Sequence, residues 1–176
     1  NNTVQMHFFN EYRNDGYGFH SFLDEVDKQQ YIYTKFEPAF CHYVFPTFDQ
    51  PDLKASWQLS TIVPKEWIVV SNELAAQENR QLQEEVVKTI VDVSQSFGAS
   101  EILNSMRSPT VTIFKETPKI PTYLYAIVAG PYKHVELNEV GLPPMKVYLR
   151  DSLMKKADQN YLKEIMTVTK SGLNFY

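Results

Sequence analysis

Between positions 31 and 72 the chain alternates, turns and alternates again. Tyr31, Tyr33, Lys35 and Glu37 fall on one side of an extended segment, and Ile32, Thr34 and Phe36 fall on the other. That is the period-two signature of a strand. Phe45-Pro46-Thr47-Phe48-Asp49-Gln50-Pro51 interrupts it. Two prolines fix backbone angles there, and Asp49 can accept from nearby amides. Trp57, Leu59 and Val63 then share a face against Gln58 and Ser60, and Pro64 ends the run. Residues 67–70 give a further short apolar strand, closed by Ser71-Asn72. Upstream, residues 4–9 and 20–23 read as strands. The polar turns 10–18, with Gly16 and Gly18, and 24–30 separate them.

The period then changes. From 78 to 97 the apolar positions Leu82, Val86, Ile90, Val93 and Phe97 recur at spacings of three and four, widened by Val87 and Val91. This predicts an amphipathic helix with Glu84, Glu85, Lys88 and Asp92 towards water and Gly98 as its stop. Residues 100–106 suggest one more helical turn. A strand at 111–114 and a proline-bearing turn at 115–121 follow. Residues 123–129 are nearly all apolar, the mark of a strand buried on both faces. Gly130-Pro131 ends it, and strands at 133–136 and 145–150 flank Gly141-Leu142-Pro143-Pro144. Asp151 or Ser152 is placed to cap a last helix striped by Met154, Ala157, Tyr161, Ile165 and Val168. Lys170 would sit in its final turn and Gly172 at its C-cap.

Composition narrows the possibilities. A chain of 176 residues has room for one ordinary domain and part of a second. An apolar fraction of 43% with 14% aromatics supports a packed core. The net charge of −4, with no basic block, argues against a nucleic-acid partner. Cys41 is the single cysteine, so no intrachain disulfide forms, and it reads as a small buried side chain. No apolar run reaches membrane-spanning length and no signal peptide is evident, which leans towards the cytoplasm. The Asn1-Asn2-Thr3 sequon carries little weight. The four histidines His7, His20, His42 and His134 stand far apart, and H-E-x-x-H is absent. A hydrolytic zinc site needs about three protein ligands, so no catalytic or metal-binding residue is expected in this chain. G-x-S-x-G and phosphate-binding glycine loops are absent as well. Asp24, Asp27, Asp49 and Asp52 read as turn carboxylates bonded to local amides.

Several motifs carry a resemblance. These are Tyr33-Thr34-Lys35-Phe36-Glu37-Pro38, then Phe45-Pro46-Thr47-Phe48-Asp49-Gln50-Pro51-Asp52-Leu53-Lys54-Ala55, then Val70-Ser71-Asn72. Residues 15–22 and Thr117-Pro118-Lys119-Ile120-Pro121-Thr122-Tyr123-Leu124-Tyr125-Ala126 fit the same pattern. Together they resemble the amino-terminal β-domain of zinc aminopeptidases of the aminopeptidase N and leukotriene hydrolase family. The resemblance implies a mainly β, saddle-like domain of curved antiparallel or mixed sheets, with one inserted amphipathic helix and a C-terminal helix. Residues 1–150 would be a partial β-domain, with the inserted helix at about 78–106. Residues 151–176 would be the first helix leading into a catalytic domain not included here.

By resemblance, the parent enzyme would use zinc, with none bound by this chain. Glu37 matches the position from which the family's β-domain binds the free amino group of a peptide. A carboxylate there makes charge-assisted hydrogen bonds to an ammonium. Lys35 stands where the family usually has Gln, and His42 where relatives often have Arg. On one strand face, Lys35 would pair with Glu37 or repel an incoming amine. Lys35 and Glu37 are therefore the candidate substrate-binding residues. The expected partners are the peptide N-terminus, and a catalytic domain or another chain at unpaired sheet edges. Lys35, His42 and the inserted helix also motivate an alternative, a non-catalytic relative acting as a protein-binding or scaffolding module.

Overall fold

The computed structural model describes residues 2–76, 80–98, 101, 108–138 and 142–176. The chain is mostly β with a few helices, and every ladder between its named strands is antiparallel. It divides into two compact units, residues 1–23 with 30–130, and residues 24–29 with 131–176.

In the first unit, β1 (Gly18–Leu23) pairs with β2 (Gln30–Lys35) from Gly18 opposite Lys35 to Leu23 opposite Gln30. The strands β3 (Ser60–Val63) and β4 (Ile68–Ser71) follow, then α1 (Arg80–Ser96), β5 (Thr110–Ile113) and β6 (Ile127–Gly130). One sheet runs β1-β2-β6-β4, and β3 pairs with β5 in a second. Because β2 and β6 are central, β2 starts with Tyr31 and Ile32 both buried, rather than alternating as the sequence suggests. Thr34 extends the junction by accepting the Ile127 N–H through its hydroxyl at 2.8 Å.

The core of this unit gathers Phe36, Cys41, Val44, Tyr125 and Ile127, with Phe19, Phe45, Trp57, Leu59, Val69 and Ile120 against them. Phe45 meets Phe36, Trp57 and Tyr125 edge-on, while Trp57 stacks on Tyr125 at 4.3 Å. Edge-to-face and offset-stacked rings add to what area burial alone contributes. Among the described residues, the buried Trp57 indole N–H has no acceptor. The amphipathic reading of α1 holds. Val86, Val87, Ile90, Val91 and Val93 are half-buried, and Glu84, Glu85, Lys88 and Asp92 are exposed. Phe97 leaves the stripe at 47% exposure, where Gly98 at φ +66 ends the helix. Of residues 100–106, all but Glu101 lie outside the described residues.

The second unit holds β7 (Lys133–Leu137) paired with β8 (Met145–Leu149), then α2 (Asp151–Met154) and α3 (Gln159–Phe175). Asp24 is its buried anchor. It accepts from the Ser152 hydroxyl at 2.7 Å, the Arg150 guanidinium at 2.7 Å and the Val26 N–H at 2.8 Å.

Four local expectations are revised. Residues 4–9 form no strand, since no described strand pairs with them. In the 123–129 run, Thr122–Leu124 is a 3-10 turn and the strand begins only at Ile127. Pro121 enters that turn with extended backbone, and the Thr122 hydroxyl is bound to Asp49, so the chain bends before joining the sheet. The last helix is two. Ser152 gives its hydroxyl to Asp24, and it is Asp158 that caps α3 by accepting the Tyr161 N–H at 2.7 Å. Gly172 lies inside α3 and not at its end. The buried face shifts with the break, so Leu162, Ile165 and Met166 are half-buried while Tyr161 and Val168 are exposed.

Candidate functional site

Chemistry in the first unit concentrates where β2 ends. Phe36, 2% exposed, plugs into the core and fixes the chain just past Lys35. The Phe40 N–H donates to the Phe36 carbonyl at 2.8 Å and closes a turn. Glu37 therefore sits on that turn, with a cis bond to Pro38, and not on the strand. The alternation that placed Lys35 and Glu37 on one face stops at Lys35. The sequence signal for this was Pro38, which disfavours continued strand pairing.

Glu37 is exposed, and among the described residues it makes no side-chain hydrogen bond or ion pair. Lys35 is exposed too, and it does not pair with Glu37. Its ammonium lies over the Tyr17 ring, 5.0 Å from the centroid. The attraction of a cation to a ring face holds it there. Tyr17 packs on Phe40 at 4.5 Å, and Phe40 on Tyr43 at 5.4 Å. The Arg13 guanidinium covers Tyr43 at 4.8 Å. Arg13 is ion-paired with Asp15, whose carboxyl it draws down to about 2, helped by the Tyr17 N–H. Gly18, opposite Lys35, carries φ +64, and a Cβ there would press Arg13 Cδ at 3.2 Å. Tyr17 as the seat of the lysine was missed in the sequence, because the two residues are 18 apart in number and meet only through the hairpin register.

Below this surface Asp49 ties the corner together. Its side chain is 6% exposed and accepts from the His42 backbone N–H at 3.1 Å and from His42 Nδ1 at 3.0 Å. Its other oxygen accepts the Thr122 hydroxyl. Burial works to raise this carboxyl, but the donors from Thr122 and His42 outweigh it and leave it below the usual range. The turn reading of Asp49 thus holds, with a long-range partner added. Cys41 is fully buried, and desolvation pushes its thiol up to about 12. A thiol so held is a packing group and not a nucleophile.

The other histidines serve local contacts. His20 accepts the Gly16 N–H at 3.0 Å, His7 meets Gln5 at 3.0 Å, and His134 lies 3.9 Å from Glu136. Among the described residues no three His, Cys, Asp or Glu side chains gather as a metal site. These geometries define a β-rich domain with an exposed carboxylate, Glu37, on the turn after β2 and an exposed lysine, Lys35, seated on the Tyr17 ring.

Residues 1–100 match the family described as the Peptidase M1 N-terminal domain. The chain is 30% identical to aminopeptidase N of Streptomyces lividans over 94% of its length, covering 16% of that protein. It is 31% identical to aminopeptidase Q of Homo sapiens over 72% of its length, covering 11% of that protein. It is 28% identical to aminopeptidase N of Rattus norvegicus over 98% of its length, covering 16% of that protein. The chain belongs to the Peptidase M1 N-terminal domain family. It spans less than a fifth of the length of these relatives. Zinc and peptide hydrolysis are attributes of the family. The residues described here do not fit a zinc centre: their histidines are dispersed and their one thiol is buried and neutral. No described helix is long and apolar enough to cross a membrane.

Proposed function

We propose that this chain is the amino-terminal β-domain portion of a zinc aminopeptidase, and that Glu37 anchors the free amine of the peptide substrate. In this reading residues 1–150 form the β-domain portion and residues 151–176 lead towards a catalytic domain that carries the metal. A sheet edge would pair with that remaining sequence or with another chain.

One observation carries the reading. Glu37 is an exposed carboxylate with no side-chain partner among the described residues, on a turn fixed from behind by the buried Phe36. The nearest lysine in sequence is drawn onto Tyr17, so the carboxylate is left for an incoming ammonium. Such an anchor measures where a peptide begins and favours removal of single residues from its end.

The test is Glu37→Gln in the full-length protein with an aminoacyl-anilide substrate. A hydrogen bond to a charged group contributes about 1.5–3 kcal/mol, so kcat/KM should fall roughly 10- to 100-fold, mainly through KM. An unchanged KM would rule the role out. The scaffolding alternative draws on Lys35 replacing the family's Gln, and it predicts no zinc-dependent turnover in that same protein.

A further inference from the structure

The turn that carries Glu37 is exposed, yet both of its ends are fixed. Upstream, the Phe36 side chain is buried in the core. Downstream, the 3-10 turn Cys41–Tyr43 receives no side-chain cap from Phe40, the residue before it. Asp49 supplies that cap from a distance. Its carboxylate accepts the His42 backbone N–H at 3.1 Å, and the Cys41 N–H favours the same ionised group. A carboxylate at the start of a helical turn satisfies N–H groups that have no partner within the turn. The Thr122 hydroxyl holds the other oxygen of Asp49. Thr122 lies in the 3-10 turn ahead of β6, and β6 pairs with β2 through Ala129 opposite Ile32 and Val128 opposite Tyr33. The constraints close a loop from β2 through the Glu37 turn, Asp49, Thr122 and β6 back to β2.

An apolar side chain could fill the place of Asp49 at a lower desolvation cost. It could not set the direction of successive backbone N–H groups, as an ionised acceptor does. With 6% of its side chain exposed, Asp49 is not itself a contact for a peptide. We propose that Asp49, locked by Thr122, is a positioning residue: it fixes the backbone from Phe36 to His42 and so the place of the Glu37 carboxylate. The proposal rests on the reading of Glu37 as the amine anchor given above. A displacement of about 1 Å is enough to weaken a contact that depends on orientation.

The experiment is a double-mutant cycle on the full-length protein with a leucyl-anilide substrate, read alongside amide exchange at residues 39–42. Thr122→Val removes the hydroxyl and keeps the shape, so it loosens Asp49 without emptying the corner. It should raise KM roughly 5-fold and leave kcat within about twofold, the split that lost substrate binding gives. Asp49→Asn should show the same pattern more strongly. Thr122→Ser, which keeps the hydroxyl, should stay within about twofold of the unsubstituted protein. In a Glu37→Gln background Thr122→Val should raise KM no further, because both changes act through one contact. Exchange at residues 39–42 should speed up in Thr122→Val while the β1–β2 ladder stays protected. An equal rise in KM with and without Glu37 overturns the proposal, since Thr122 and Asp49 would then serve the fold alone. An unchanged KM in Thr122→Val where Glu37→Gln raises it, or unchanged exchange at residues 39–42, overturns it as well. If Glu37→Gln alone leaves KM unchanged, the amine-anchoring reading fails, and the exchange result decides whether Asp49 fixes the turn.

Discussion

Asp24 and Asp49 do similar work in separate units, each collecting several donors on one carboxylate. Asp24 is held below the usual range by the Ser152 hydroxyl first, then the Val26 N–H, against the raising effect of burial. Asp49 is held down because the Thr122 and His42 donors outweigh its burial. A carboxyl whose folded value is depressed adds stability that is complete above its unfolded value, 3.8 here, and is lost as pH falls through the folded value. Exchange protection, taken relative to the free-amide rate at each pH, should therefore persist at the corner around Asp49 and at the start of α2 down to about pH 4. Below that it should fall in both places. A loss of protection beginning near neutral pH would contradict the assignment.

At this scale the sequence was informative about chemistry and less so about contacts. Asp49 was legible as a turn acid, because its proline-bounded setting left few other uses for it. Its bond to Thr122, 73 residues on, was not, since no local pattern encodes it. Glu37 was placed on a strand face because alternation extrapolates past the residue where pairing stops.

The elements were read best where one period dominates. The hairpin of β1 and β2, the helix α1 and the pair β7 and β8 have cores with a clean repeat or flanking glycine and proline. Residues 123–129 misled because an apolar turn and an apolar strand read alike, so periodicity alone cannot divide them, and Leu124 in the turn is exposed. The terminal helix misled for another reason. A 3.6-residue stripe continues smoothly across Lys155–Asp158, and only side-chain partners reveal that the backbone restarts at Asp158. Capping of this kind is worth about 1 kcal/mol. Asp158→Ala should speed exchange in the first turn of α3 roughly 5-fold and leave β7 and β8 unaffected. Uniform loss across the second unit would indicate that α3 is not stabilised at that end.

For the whole molecule, family membership was legible through short proline- and aromatic-bearing motifs that lie in order along most of the chain. The division into two units was not, because residues 24–29 belong with 131–176 by contacts that cross more than a hundred positions.

The stacking of Trp57 on Tyr125 gives the first unit an optical reporter. An indole with its nitrogen shielded from solvent and unbonded emits at shorter wavelength than one in water. Trp67, the other of the two tryptophans, is half-buried. Replacing Trp67 with Phe should leave a blue-shifted spectrum that moves red as the aromatic core loosens. A red spectrum under native conditions would mean that water reaches Trp57.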